Sequence, residues 1–179
     1  MNLTATFREQ CEVIATEWRD RLHLYAYDPL HANHLAAEFK AKISGIHEAE
    51  GLPQDAVEYF MKNGKFWAGT LLRDPLVILY NPKQSPARYE SSIMEELSHI
   101  ILKHPMEPLL VGESRGRLNY DPRIETEAKY LASCLKIPRR GLQWAVQKKM
   151  VDAQIAKHFG TSLEMVRWRQ NVTNKKSSQ

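Results

Sequence analysis

Strand-forming sequence is confined to a small part of this 179-residue chain, and that confinement limits the fold more than any other feature. Two runs, residues 65–72 and 76–80, carry the aromatic and β-branched content of a hairpin around Arg73-Asp74-Pro75. A shorter segment, 42–46, also has strand character. Elsewhere the apolar residues recur at helical spacing between proline and glycine breaks. So small a sheet cannot enclose a core alone, and helices must cover it. The expected class is α+β, mainly helical, with a small antiparallel sheet.

The first helix is predicted over 3–22, with Phe7, Cys11, Ile14, Ala15, Trp18 and Leu22 at helical spacing. Asp28-Pro29 predicts a second helix start, with proline at the first helical position and Leu30, Leu35, Ala36 and Phe39 on its buried face. Pro53 opens a short helix through Met61 that Asn63-Gly64 closes. A longer helix runs from Ser85 or Pro86 to His104 and stops before Pro105. Residues 105–122 read as loop, followed by helices over 123–136, 138–149, 151–159 and 162–170.

Hydrophobic residues make up 43% and charged residues 26%, a balance that excludes a disordered chain. No apolar run reaches the ~18–20 residues of a membrane span. The start, MNLTATFREQCEV, lacks the basic-then-apolar order of a secretory signal. Cys11 and Cys134 match no metal spacing and read as reduced thiols of a cytoplasmic protein. The net charge is +4, but from Lys136 onward ten basic residues oppose only Asp152 and Glu164. A mildly acidic body thus precedes a basic C-terminal quarter, which suits an acidic partner, a nucleic acid or a solvated helical surface.

The chemistry concentrates in the helix containing Met94-Glu95-Glu96-Leu97-Ser98-His99-Ile100-Ile101-Leu102-Lys103-His104, buried through Ile93, Leu97, Ile100, Ile101 and Leu102. Glu95 and His99 are four apart and share a face. That is the ligand spacing of the H-E-x-x-H zinc helix with Glu in the first His position, and Glu96 falls where the general base belongs. Such a metallohydrolase needs a third protein ligand and an open position for water. Glu125, on the next helix, is the candidate, with Glu127 in reserve. The same residues also read as an exposed polar stripe. The E-x-x-H of a di-iron carboxylate bundle is a weaker alternative, because the chain has no second copy.

The segment 65–138 resembles the ImmA/IrrE family of metallo-endopeptidases. The matching blocks are Phe66-Trp67-Ala68-Gly69-Thr70, then Leu76-Val77-Ile78-Leu79-Tyr80-Asn81-Pro82, Ser85-Pro86-Ala87-Arg88 and the Glu96-to-His104 helix. A later block is Glu125-Thr126-Glu127-Ala128-Lys129-Tyr130-Leu131-Ala132-Ser133-Cys134-Leu135-Lys136-Ile137-Pro138. The resemblance implies a zincin-like core, metal ligands Glu95, His99 and Glu125, and Glu96 as catalytic carboxylate. It also implies that the substrate is a helix-turn-helix repressor whose cleavage relieves transcriptional repression, held extended along the strand at 65–72. The family has His at position 95 and Asn at position 129, where this chain has Glu and Lys. A ligand set with two carboxylates cancels the charge of a divalent ion and weakens it as a Lewis acid. It also shifts preference from zinc, the family's ion, toward manganese or another harder ion. A working peptidase with altered metal use and a catalytically degenerate regulator that binds a repressor or DNA both remain open. The family often carries a His at position 104, which implies a hydrogen bond behind the ligands. On a continuing helix His104 would sit about 140° from His99 and could not share its metal.

Residues 152–169 have the spacing of a helix-turn-helix. Ala156 permits a close crossing, Gly160 a turn at positive φ, and Val166 packs back, with Ile155, Phe159 and Leu163 in the core. Arg167, Arg169 and Gln170 on the second helix are candidate contacts to DNA or a partner. The expected organisation is a peptidase-like domain at 1–137, a helix-turn-helix-like segment at 138–172 and a disordered basic tail at 173–179. Membrane contact is not expected.

Overall fold

The computed structural model describes residues 3–49, 52–62, 68–105 and 121–174. In order they form α1 (Ala5–Arg21), α2 (Ala32–Glu38), β1 (Lys42–Gly45), a 3-10 turn (Ile46–Glu48), α3 (Gln54–Lys62), β2 (Ala68–Arg73) and β3 (Leu76–Tyr80). Then follow α4 (Pro86–Ile101), α5 (Pro122–Lys136), α6 (Arg139–Gln147), α7 (Asp152–Phe159) and α8 (Leu163–Asn174). The α+β class is as the sequence predicts. The Asn63-Gly64 helix stop, the first three residues of the expected hairpin strand, the loop interior at 106–120 and the tail from 175 lie outside the described residues.

Contacts gather the chain into two compact units, Ala32–Glu125, and Met1–His31 together with Thr126–Gln179. The helix-turn-helix-like segment lies in the same unit as the N-terminal helix.

In the unit Ala32–Glu125 the sheet order is β1-β3-β2. β2 and β3 pair antiparallel, as the hairpin predicts, with Leu71 bulged out between Thr70 and Leu72. β1 lies parallel to β3, from Lys42 opposite Val77 to Gly45 opposite Tyr80, so the sheet is mixed rather than wholly antiparallel. Strand direction is set by where the chain re-enters the sheet, and side-chain alternation does not encode it. Ile46 and Leu79 form a small core with Leu52, Phe60, Met61, Leu71 and Val77 around it. Ser85 caps α4 by accepting the Arg88 N–H at 3.3 Å, and Pro86 occupies the first turn. Along α4 the residues Ser92, Ile93, Met94, Leu97 and Ser98 are buried, while Ile100, Ile101 and Leu102 are only partly so.

Helix α2 starts at Ala32 and not at Pro29. The Asp28 carboxylate turns backward and accepts the Tyr25 N–H at 2.7 Å, closing a turn over 25–28 instead of capping a helix. The first amide of α2 is accepted by Glu90 of α4 at 2.9 Å, and the Tyr89 hydroxyl donates to Asn33 at 2.6 Å.

In the other unit, α1 is capped by Thr4, whose hydroxyl accepts the Phe7 N–H at 3.1 Å. Its buried stripe is Cys11, Ala15 and, one turn further, Arg19. The Arg19 guanidinium donates to the carbonyls of Tyr25, Asp28, Leu135 and Lys136. Burial lowers its pKa to about 10, opposed by the charge of Asp28. Ile137, Leu142, Ala145, Ile155, Ala156, Phe159 and Val166 form the main core of the C-terminal helices. The Ala156, Gly160 and Val166 spacing is realised, with Gly160 at φ +58°. Leu163, expected in that core, is exposed.

Five helices end in one way. The left-handed residue follows the cap at His23, Lys40, Lys103 and Lys149, and in α7 it is the cap itself, Gly160. The next amide in each case reaches back five residues, as from His104 to the His99 carbonyl at 3.0 Å. Only one of the five positions is glycine, so the other four tolerate the Cβ cost of that conformation.

Candidate metallopeptidase site

Helix α4 presents Glu95 and Glu96 on one turn and His99 on the next, and the first turn of α5 presents Glu125. The His99 Nε2 stands 3.4 Å from a Glu125 carboxylate oxygen. Two ligands at ~2.0–2.2 Å from a tetrahedral ion stand about 3.3–3.5 Å apart, so this pair has the separation of two donors to one ion. On its other side, His99 Nδ1 lies 3.0 Å from His104 Nδ1. One of the two nitrogens must carry the proton. With the proton on His99, its Nε2 lone pair faces the carboxylate, an acceptor-to-acceptor contact that a cation between them would relieve.

His104 reaches this position by a route the sequence does not predict. Helix α4 ends at Ile101, and the left-handed Lys103 turns the chain back, so His104 is not on the helix face that a periodicity argument assigns it. The expected hydrogen-bonding role nevertheless holds, as the ring meets His99 from outside the helix.

Glu96 is joined to the sheet. The Thr70 hydroxyl on β2 donates to a Glu96 carboxylate oxygen at 2.8 Å. Burial raises the Glu96 pKa to about 7, Thr70 opposes that through its hydroxyl and its backbone, and the Glu125 charge adds to it. A carboxyl poised near neutrality is suited to proton transfer at physiological pH. Thr70 is the hydrogen-bond partner of Glu96 that the sequence reading missed. Only its place on the strand before the active helix, inside the matching block at 66–70, could have signalled it.

The third expected ligand is less fully drawn in. Glu95 is partly buried on α4. Among the described residues no group of three or more His, Cys, Asp or Glu side chains is close enough to hold a metal ion. His99 and Glu125 therefore fit a divalent ion as a pair, and Glu95 does not complete a triad with them. Glu127, the reserve ligand, is two residues along α5 and so roughly 200° round it. Its charge acts on Cys11 of α1 instead.

Of the three C-terminal contact candidates, Arg169 is buried. Its Nε donates to the Ile137 carbonyl at 2.9 Å, its Nη2 pairs with Glu12, and it lies 5.6 Å from the Tyr130 ring centroid. This corrects the expectation that Arg169 meets DNA. Its position on α8 points toward α1, and the buried carboxylate there needs a cation. Arg167 is 68% exposed and reaches Asp152 at 3.3 Å, and Gln170 donates to the same carboxylate at 3.2 Å. Cys11 and Cys134 are buried and free of disulfides. Burial pushes the Cys11 thiol up to about 12 and raises Cys134 well above its ordinary range. No helix among the described residues is long and apolar enough to cross a membrane.

A family model described as an IrrE N-terminal-like domain, of a peptidase family, matches residues 52–171. Among solved structures, a Mycobacterium tuberculosis transcriptional regulator is similar, with 18% identity and a TM-score of 0.52 over 92% of this chain. At that identity the likeness is one of fold, and the chain spans 46% of the length of that regulator. No curated protein matches the chain. The match covers both Glu96 and Glu125 and extends over more than half of the sequence. This chain belongs to the peptidase family of IrrE N-terminal-like domains.

Proposed function

We propose that the protein is a metal-dependent endopeptidase that cleaves a helix-turn-helix repressor and thereby relieves transcriptional repression. One observation carries this reading: His99 and Glu125 are spaced as two donors to one ion, and Glu96, three residues before His99 on the same helix, is held to β2 by the Thr70 hydroxyl. His99 and Glu125 would hold the ion, and Glu95, which does not complete a triad with them here, would have to move toward them to serve as third ligand. Zinc is the ion the family implies, and the second carboxylate favours manganese or another harder ion. When bound, the ion lowers the pKa of water and polarises a carbonyl. Glu96 takes the proton of the attacking water and returns it to the leaving amine, while Thr70 keeps its carboxyl in place. The β2 edge, which has no neighbouring strand among the described residues, would pair with an extended substrate. The two buried thiols stay reduced in the cytoplasm, where such a repressor acts.

A second reading is a non-proteolytic regulator that binds a repressor or DNA. The incomplete triad at Glu95 favours it, and its DNA version now rests on Arg167 and Gln170. Elemental analysis of protein purified without chelator, with incubation against the repressor encoded beside it, separates the two. Bound metal and cleavage that Glu96→Gln abolishes support the peptidase. Complex formation without metal or cleavage supports the regulator, and gain of zinc and cleavage in Glu95→His locates the defect at that ligand.

A further inference from the structure

The unit formed by Met1–His31 and Thr126–Gln179 displays a column of aromatic rings that the candidate metallopeptidase site does not use. Tyr25, 67% exposed, stacks on Tyr27, 40% exposed, with ring centroids 5.3 Å apart and planes 13° apart. Tyr27 stacks on Trp144 of α6 at 5.5 Å, and Trp144 meets His158 of α7 at 5.0 Å.

The column is held from beneath by three devices. The buried Arg19 guanidinium fixes the carbonyls of Tyr25 and Asp28 at 3.1 and 2.8 Å. His158 Nε2 donates to the Tyr27 carbonyl at 2.6 Å. Helix α6 approaches so closely that a Cβ on Gly141 would lie 2.2 Å from the Ala26 carbonyl oxygen. A loop clamped this firmly could turn its rings inward, yet it presents the outer face of Tyr25 to solvent. Pre-ordered rings of this kind lose little conformational entropy when a ligand stacks on them.

The surroundings are cationic. Arg140 and Lys148 stand four residues before and after Trp144, one turn in each direction, and share its helix face. Both are exposed, as is Lys157 beside His158. Residues 139–151 contain four basic and no acidic residues, of which Arg139 is already paired with Glu9 of α1. The one carboxylate in the tyrosine turn, Asp28, is already engaged by the Tyr25 amide.

We propose that this column is a binding platform for single-stranded nucleic acid. A base extends the stack on the outer face of Tyr25, and phosphates meet Arg140 and Lys148. Bases within a duplex have no free face to offer, so duplex binds through phosphates alone. A proline-rich peptide also packs on tyrosine and tryptophan but leaves the cations without partners.

The test is fluorescence anisotropy on the full chain with a labelled oligo-dT of about fifteen nucleotides, the corresponding duplex, and an oligoproline peptide. Oligo-dT is expected to bind about tenfold or more tighter than duplex at low salt. Tyr25→Ala should weaken it by about fivefold or more, and Tyr25→Trp should retain it. Arg140→Gln/Lys148→Gln should weaken binding and flatten its salt dependence. All these side chains are exposed, and circular dichroism melts verify that each variant is folded. Absence of oligo-dT binding at about 100 µM protein, indifference to Tyr25→Ala, equal affinity for duplex, or preference for oligoproline overturns the proposal.

Discussion

The Thr70 hydroxyl donates to a Glu96 carboxylate oxygen at 2.8 Å, tying the edge strand β2 to the helix that carries the candidate ligands. The bond favours the ionised carboxylate and opposes the desolvation that raises it. Thr70→Val keeps the shape and removes the donor, so the Glu96 pKa should rise further. The acid limb of the kcat/KM profile should then move to higher pH, with several-fold greater loss at pH ~6 than at pH ~8. Thr70→Ser should restore the profile. Superimposable profiles for all three proteins would remove Thr70 from the positioning of Glu96.

Glu96 also sets a pH dependence of stability. Its pKa is about 7 when folded, against 4.5 ordinarily. Between those values the folded chain holds a proton that the unfolded chain has lost. Stability is therefore full below the unfolded pKa and falls as pH rises through the folded one. Glu96→Gln removes the cost of burying the charge. Without metal, its urea midpoint should exceed the parent's at pH ~8 by the equivalent of about 2–3 kcal/mol and converge with it near pH ~4. Parallel curves across that range would contradict the burial argument.

His104 supports His99 from behind the candidate ion position. Removing such a partner from a ligating imidazole lowers metal affinity by about 10–100-fold. His104→Ala should show that loss in chelator competition, with its thermal stability nearly unchanged in the absence of metal. An unaltered affinity would mean that the His99–His104 contact is structural.

Arg169 and Glu12 form a pair inside the unit that joins α1 to α8. Arg169→Ala leaves the Glu12 carboxylate without its guanidinium and should destabilise by about 3–5 kcal/mol in urea. Arg169→Met/Glu12→Gln removes both charges and should recover a large part of that loss. A mild effect of Arg169→Ala coupled with lost duplex-DNA affinity would instead favour the role expected from sequence.

Lys149, exposed after α6, adopts φ +56°. A left-handed conformation costs a residue with Cβ about 1 kcal/mol or more, and glycine is free of that cost. Lys149→Gly should raise stability by roughly 0.5–1 kcal/mol, read as an increase in Tm. A lower Tm would show that the lysine side chain contributes more than the backbone strain removes.

Much of the architecture was legible because it is local. Helix starts such as Ser85-Pro86, the hairpin at 68–80 and the Ala156, Gly160 and Val166 crossing each depend on residues within a turn or two. The α4 motif was equally readable, since i, i+3 and i, i+4 spacing fixes which side chains share a face. The expectation failed at Asp28, whose carboxylate had two amides in reach and closed a backward turn. It failed at Leu163, where apolar character alone did not ensure burial.

By itself the sequence determined where the helices lie, which residues of α4 face one another, and the family to which the chain belongs. Tertiary structure decided which polar groups lose their water and what replaces it. Glu96 became a near-neutral acid because β2 covers it, Arg169 became an internal cation because α1 offers Glu12, and His104 turned back on His99 after the helix had ended. Periodicity is a property of neighbours along the chain, whereas desolvation and charge pairing depend on groups brought together from distant positions.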